Sequence, residues 1–222
     1  LAELAELDAQ KAKLAQKRGR AILEDAEARV KELGAPEVMV TLRHGGIVET
    51  SHEAEDRTDL FVIGKRGEAA AHDMQHLGSN LERVVRAVRR PVLVASREFR
   101  QIEKVLIAFD GGVTASRMID ALVANPVMAG CSATLLAVGE ETPELRRRLD
   151  AAGARLKAGG LSVEIALKPG AAEKVIASEV AEGGVDLLVM GAYGHSRIRS
   201  LIIGSTTTLM LRDCRIPLLL YR

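Results

Sequence analysis

Short apolar runs alternate with segments of helical periodicity along the second half of the chain. The runs predict buried strands, and the segments between them predict helices with apolar residues three or four positions apart. The predicted strands span residues 104–110, 132–138, 161–167, 185–190 and 216–221. The predicted helices span residues 114–125, 143–158 and 171–182, and a last helix begins at Gly204 and ends before Pro217. Unbroken apolar strands that alternate with helices indicate an α/β fold with a parallel sheet covered on both faces.

The chain repeats itself at a spacing of about 126 residues. The matched segments share residue types in the same order; they are Asp59–Gly64 with Asp186–Gly191, Gly78–Ser79 with Gly204–Ser205, and Pro91 with Pro217. A nearly constant offset over several landmarks indicates an internal duplication. We therefore predict a first domain at residues 1–97, a linker at 98–103 and a second domain at 104–222.

The first copy lacks its beginning in this sequence. Residues 1–34 form one long helical pattern, and Gly34 and Pro36 are typical of its end. When the repeat spacing is subtracted from the first strand of the second half, its equivalent in the first half falls before residue 1. The equivalent of the second strand falls inside the helical pattern. We expect further residues before Leu1 in the natural chain. Residues 37–42 are predicted as a third strand, which cannot pair with residues 60–63 in the usual sheet. Either the missing strands are supplied, by the chain or by a partner, or the first half is rearranged.

Composition narrows the classes of function. Thirty-one basic and thirty acidic side chains give a net charge of +1, which argues against a general nucleic-acid binder. Five aromatic residues are too few for a base-stacking surface, and no apolar run predicts membrane insertion. Two cysteines, Cys131 and Cys214, and no secretory signal pattern favour a cytoplasmic protein with cysteines in its core.

The strongest motif is Gly191-Ala-Tyr-Gly194, followed after nine residues by Gly204-Ser205. It follows a predicted strand and leads into a predicted helix. Glycines let backbone N–H groups approach an anion, and a helix start adds unpaired N–H groups and a positive dipole end. The hydroxyls of Ser205, Thr206 and Thr207 are further donors. A phosphate group is the natural occupant, and a plain tight turn is the alternative.

This spacing is similar to that of ATP-binding universal stress proteins. The apolar strand that ends at Asp110, the strand that ends at Val138 and the final Pro217-Leu-Leu-Leu agree with that family. The resemblance covers the second half and the later part of the first, so the chain resembles a tandem member. It implies Rossmann-like domains with a parallel sheet of order 3-2-1-4-5.

The resemblance also implies a ligand between the first and fourth strands of the second domain. The expected ligand is ATP or another adenine nucleotide, with or without magnesium. The residues implied at the adenosine end are Asp110 and the backbone of Ala108 and Val138; those implied at the ribose and phosphates are Gly191, Gly194, Gly204, Ser205 and Thr206. Met190 and His195 complete the expected nucleotide-binding set.

The first copy departs from the motif. Ten residues separate Gly64-Lys-Arg-Gly67 from Gly78, and Glu82 near the helix start repels phosphate. A degenerate half that serves as a pseudo-dimer partner is favoured, although Lys65 and Arg66 are cations that attract anions.

Other polar clusters are weaker candidates. His72 and His76 have the spacing of metal ligands, but no third ligand is evident, and a solvated loop pair is favoured. The run Arg146–Arg148 is interpreted as a solvated helix face. His195, Arg197 and Arg199 either contact phosphate or face solvent.

These features predict a cytoplasmic stress-response module that binds ATP and regulates an unknown protein partner. We expect no enzyme activity beyond slow ATP hydrolysis, because no water-activating base is evident. The family pairs its fifth strands across dimers, so Pro91–Ser96 and Ile216–Tyr221 are the expected contact segments of a homodimer or pseudo-dimer. The alternative is a nucleotide-free scaffold, in which the glycines are only turns and the long first helix binds a partner.

Overall fold

The computed structural model of the protein describes residues 2–65, 79–96, 98–125, 128–192 and 205–222. Its contacts divide the chain into two compact units, Leu1–Gly46 and Ile47–Arg222. This division differs from the domain boundary expected between residues 97 and 104, which stays a prediction. No helix of the described ranges has the length and apolar character that a membrane span requires.

The first unit is built on one helix, α1 (Ala2–Glu32). Gly34 ends it in a left-handed conformation with φ of +87°. The N–H of Gly34 donates to the carbonyl of Lys31 at 2.9 Å, and the N–H of Ala35 donates to that of Val30 at 3.2 Å. This is a Schellman cap, which satisfies two of the last helical carbonyls. The predicted helix and its glycine stop are confirmed.

Residues 37–42 do not form the predicted third strand. Met39 is 81% exposed and Leu42 is 37% exposed. A strand needs a neighbour to pair with its backbone. In the second half this neighbour is the strand Ser132–Val138, and its equivalent in the first half, residues 6–12, lies inside α1. Residues 37–42 therefore have no partner strand among the described residues, and the prediction was wrong.

The second unit alternates helices and strands, as expected for an α/β fold. Its elements are α2 (Ile47–Ala54), a 3₁₀ turn (Glu55–Arg57), β1 (Phe61–Gly64), α3 (Ser79–Ala87), β2 (Val92–Ala95), β3 (Lys104–Ala108), α4 (Val113–Ala124), β4 (Ser132–Val138), α5 (Pro143–Ala158), β5 (Ser162–Lys168), α6 (Ala172–Glu182), β6 (Leu187–Gly191), α7 (Ser205–Asp213) and β7 (Leu218–Tyr221). The predicted bounds of β4 and α5 agree with the structure, and the other bounds predicted in the second half differ by at most three residues.

Within the described ranges, seven strands form one sheet in the order β1-β2-β7-β6-β3-β4-β5. The five strands of the second half pair in parallel. Their order, counted within that half, is 3-2-1-4-5, so the predicted topology is confirmed.

The two halves meet through their last strands. Strand β2 pairs with β7 in the antiparallel direction, with Val92 opposite Leu220 and Leu93 opposite Leu219. The expected contact segments, Pro91–Ser96 and Ile216–Tyr221, are confirmed as an intramolecular pair. One sheet therefore runs from the first copy into the second.

Two apolar clusters cover opposite faces of the sheet. Successive side chains of a strand point to opposite faces, so they alternate between the two clusters. In β3, Val105 and Ile107 belong to the first cluster and Leu106 to the second. The first cluster is covered by α4 and α5. The second is covered by α3, α6 and α7, so it joins side chains of both copies. Each fully buried leucine or valine contributes about 1.5–3 kcal/mol of transfer free energy.

Basic side chains also link the two halves. The Nζ of Lys65 donates to the carbonyl of Cys214, next to the end of α7. Arg222 donates through Nη1 to the carbonyls of Arg86 and Ala87, the latter at 3.1 Å. Cations at the carboxyl ends of helices interact favourably with the negative end of the helix dipole. Lys65 thus contacts a helix end of the other copy.

An aspartate joins the starts of β3 and β6. The Oδ2 of Asp186 accepts hydrogen bonds from the backbone N–H of Lys104 at 2.9 Å and of Glu103 at 3.0 Å. These two bonds, with that of Lys104 the larger cause, hold the pKa of Asp186 below its usual value. The equivalent residue of the first copy, Asp59, is exposed.

We predict that Asp186→Ala lowers the free energy of unfolding by about 1.5–3 kcal/mol at pH 7, because two hydrogen bonds to a carboxylate are lost. Since the folded-state pKa is depressed, this contribution is complete above the unfolded pKa of about 3.9 and is lost as the pH falls through the folded pKa. Urea unfolding of wild type and variant at pH 7 and pH 3 measures it. Asp59→Ala is the matched control, expected within about 0.5 kcal/mol of wild type. Equal losses for both variants would contradict the role of Asp186.

Leu220→Ala is expected to cost about 2–5 kcal/mol, because its side chain is 2% exposed. Combined with Val92→Ala, the losses should deviate from additivity by at least about 0.5 kcal/mol, since the two residues face each other across the ladder. A double-mutant cycle from urea unfolding gives the coupling. Val92 with Leu149 of the opposite cluster serves as an additive control pair. Additivity for Val92 with Leu220 would argue against the β2–β7 pairing.

Candidate functional site

The central strand β3 ends before its two neighbours at its carboxyl end. The last residue of β3, Ala108, pairs with Leu136 of β4 and with Met190 of β6. Strand β4 continues to Val138, and β6 continues to Gly191. Both neighbours therefore extend beyond β3, and we call this strand-end region, from Ala108 to Asp110 with Val138 and Gly191, the recess.

The chain connections make this recess the switch point of the sheet. From β3 the chain passes through α4, on one face, to β4. From β6 the chain passes through α7, on the other face, to β7. Strand β7 lies on the opposite side of β3 from β4. In open parallel sheets the crevice for a ligand lies outside the carboxyl ends of the strands at such a point.

The loop after β3 places a carboxylate at the recess. Asp110 is exposed, and its Oδ1 accepts a hydrogen bond from the backbone N–H of Gly112 at 2.8 Å. Between them Gly111 has φ of +71°, a left-handed conformation that favours glycine. Helix α4 starts at Val113, directly after Gly112, and this N-cap glycine provides no side-chain cap. The turn thus presents a carboxylate beside an uncapped helix start.

The end of β6 lies close to the start of α4. A Cβ at Gly191 would lie 3.2 Å from the Cγ2 of Thr114, tighter than usual van der Waals contact. The next residue, Ala192, is 2% exposed and donates its N–H to the carbonyl of Tyr221 at 2.6 Å. Glycine at position 191 therefore allows β6 and α4 to approach each other at the recess.

Helix α7 begins with hydroxyl side chains of different exposure. Ser205 is exposed and Thr206 is half-buried. Thr207 is 3% exposed, so it belongs to the interior and does not add a surface hydroxyl as the sequence suggested. Of Ser205, Thr206 and Thr207, the first two are at least partly exposed.

The structure brings together the predicted residues at the strand ends. Ala108 and Val138 are half-buried, and their side chains pack against the second cluster. Met190 is 5% exposed and belongs to that cluster. The remaining predicted motif residues lie outside the described residues; they are Gly194, His195 and Gly204 of the second copy and Gly67 and Gly78 of the first.

The remaining candidates from the sequence have different outcomes. His72, His76, Arg197 and Arg199 also lie outside the described residues. No group of three or more potential metal-binding side chains occurs among the residues that the structure covers. Cys214 is buried, which raises the pKa of its thiol, and Cys131 is half-buried. Glu82 pairs with Arg86 at 2.8 Å on the surface of α3.

One contact at the recess was not expected from the sequence. The run Arg146–Arg148 is exposed, as predicted, and each member pairs with an acidic side chain. Arg148 also donates from Nη1 to the carbonyl of Gly111 at 2.8 Å. The spacing of Glu144 and Arg148 predicts only a helical ion pair. The contact with the loop depends on how α5 packs against α4 and β4, which the sequence pattern does not reveal.

The comparisons agree with this fold. The model of the universal stress protein family matches residues 1–96 and 132–222. The universal stress protein Slr1230 from Synechocystis sp. is 34% identical over 224 residues, which cover 100% of this chain and 78% of the relative.

Solved structures show the same architecture. A universal stress protein from Archaeoglobus fulgidus DSM 4304 aligns with 93% of this chain and 77% of its own, at 20% identity and a TM-score of 0.73. A protein of unknown function from Pseudomonas aeruginosa PAO1 aligns with 91% of this chain and 77% of its own, at 15% identity and a TM-score of 0.66. The fold and its switch-point recess define a Rossmann-like α/β protein. The chain belongs to the universal stress protein family.

We predict that Gly191→Ala lowers stability by about 1–3 kcal/mol, because the new Cβ crowds the Cγ2 of Thr114. Thr114→Ser removes that methyl group and should recover at least half of the loss in the double variant. Thermal and urea unfolding of the four proteins provide the test. A double variant no more stable than Gly191→Ala alone would show that β6 and α4 do not approach each other as described.

Proposed function

We propose that the second half of the chain binds an adenine nucleotide, with ATP as the expected ligand. The observation that carries the proposal is the recess at the end of β3, where the exposed Asp110 follows the strand and both neighbours, β4 and β6, extend further. Membership of the universal stress protein family and the spacing from Gly191 to Ser205 support it.

The described residues fit the two ends of such a ligand. Strand β4 continues past its last pair with β3, so the backbone of Val138 is suited to the edge of a base. Asp110 is a hydrogen-bond acceptor for amino or hydroxyl groups of adenosine. Ser205, exposed at the start of α7, is suited to phosphate, because hydroxyl and backbone N–H groups at a helix start donate to anions.

The proposed role is regulatory binding and not fast catalysis. Phosphoryl transfer to water depends on a group that orients the attacking water and on cations that neutralise the developing charge. Asp110 is the carboxylate assigned to the recess here, and it already accepts a hydrogen bond from Gly112. We expect ATP turnover to be slow, and we place the protein in the cytoplasm as a stress-response module.

A nucleotide-free scaffold is the second candidate. The long helix α1 favours it, because Leu4 is 63% exposed and Leu14 is 68% exposed. Large apolar side chains along one exposed helix are suited to a partner surface. Mass spectrometry of small molecules released by denaturing the purified protein separates the two candidates, since a scaffold releases no stoichiometric nucleotide.

We predict that Asp110→Ala raises the Kd for ATP by about tenfold or more, because a hydrogen bond to a charged group is lost. Isothermal titration calorimetry measures the Kd, and ADP and cyclic AMP are titrated alongside to identify the preferred nucleotide. Glu164→Ala, an exposed carboxylate on the edge strand β5, is the matched control and should bind like wild type. Equal affinities for Asp110→Ala and Glu164→Ala would remove Asp110 from the site.

A further inference from the structure

The loop that carries Asp110 is held by a side chain from a different helix. Arg148, in the second turn of α5, donates from Nη1 to the carbonyl of Gly111 at 2.8 Å. Its Nε donates to the Oε1 of Glu144 at 2.7 Å. The guanidinium thus joins the first turn of α5 to the turn that follows β3.

A single peptide group connects Arg148 to Asp110. The carbonyl of Gly111 and the N–H of Gly112 belong to the same planar unit. Arg148 donates to its carbonyl at 2.8 Å, and the Oδ1 of Asp110 accepts from its N–H, also at 2.8 Å. Since the peptide is rigid, an anchored carbonyl also fixes the direction of the N–H and the carboxylate bound to it.

This peptide needs an anchor, because it lies between two glycines. Gly111 and Gly112 have no side chains to restrict rotation about the flanking bonds. Gly111 is buried, and a Cβ on it would lie 3.5 Å from the Cδ of Arg148 and 3.5 Å from the Cδ1 of Leu145. Contacts from α5 therefore replace the restriction that a side chain would give.

The ion pair alone does not explain why Arg148 matters. The side chain of Arg148 is 53% exposed and that of Glu144 is 52% exposed, so their attraction is screened by water. Arg147 pairs with the same Glu144 at 2.8 Å and is 76% exposed. Arg147 and Arg148 share the carboxylate, and the contact with Gly111 distinguishes them.

We propose that Arg148 is a positioning residue of the nucleotide site, which holds the Gly111–Gly112 peptide so that Asp110 keeps its ligand-binding orientation. The proposal rests on the proposed function in one respect, that Asp110 binds the nucleotide. It assigns the start of α5 a role in binding that its exposed, charged sequence does not suggest.

The first test needs no nucleotide. Amide hydrogen exchange of Gly112, measured by NMR, should be about tenfold faster in Arg148→Ala, because the bond that fixes its peptide group is lost. Arg147→Ala is the matched control and should leave the Gly112 rate unchanged, and Arg148→Lys should restore part of the protection. An unchanged Gly112 rate in Arg148→Ala would overturn the proposal.

The second test is a double-mutant cycle on the Kd for ATP. Arg148→Ala should weaken binding by about tenfold in the wild-type background. In the Asp110→Ala background it should weaken binding no further, because Arg148 acts through Asp110. Independent, additive losses would overturn the positioning role. Faster exchange at Gly112 in a chain that binds no adenine nucleotide would refute the proposed function while supporting the anchoring of the peptide.

Discussion

The central strand β3 must satisfy its backbone on both sides and bury its side chains on both faces, and the rest of the second unit depends on this requirement. It pairs with β4 on one edge and β6 on the other. Val105, Leu106 and Ile107 are at most 2% exposed. A strand enclosed in this way has no room for polar chemistry along its length. Polar groups can meet a ligand only at the ends of such a strand, and Asp110 follows its carboxyl end.

The internal duplication shows what the surrounding elements contribute to each copy. Gly34 and Gly160 end equivalent helices with the same cap, at φ of +87° and +91°. Local sequence alone is enough for that structure. By contrast, Val189 is fully buried, whereas its equivalent Val62 is 63% exposed. The β1 edge pairs only with β2 among the described residues, so the same apolar strand pattern reaches different burial in the two copies.

The sequence allowed prediction of whatever depends on local pattern and on the repeat. The strands and helices of the second half, which the pattern predicts, are confirmed. Their order in the sheet and the pairing of the last strands, which the family resemblance implies, are confirmed too. The prediction of a third strand at residues 37–42 was wrong, because strand formation depends on a neighbouring strand that the pattern of one segment does not reveal. The exposure of Thr207 and the contact of Arg148 with Gly111 also depend on packing between distant segments. At the recess, Asp110 and Gly191 could be predicted from their place after apolar strands, whereas their anchors could not.

The central claim is that a nucleotide binds at the carboxyl end of β3. An NMR titration of the full chain with ATP tests it most directly, because it reports both binding and location. The account predicts saturable shifts of the backbone amides of Gly112, Val138, Gly191 and Ser205, with those of β5 and α2 unchanged. Absence of shifts at millimolar ATP, or shifts confined to other surfaces, would contradict it.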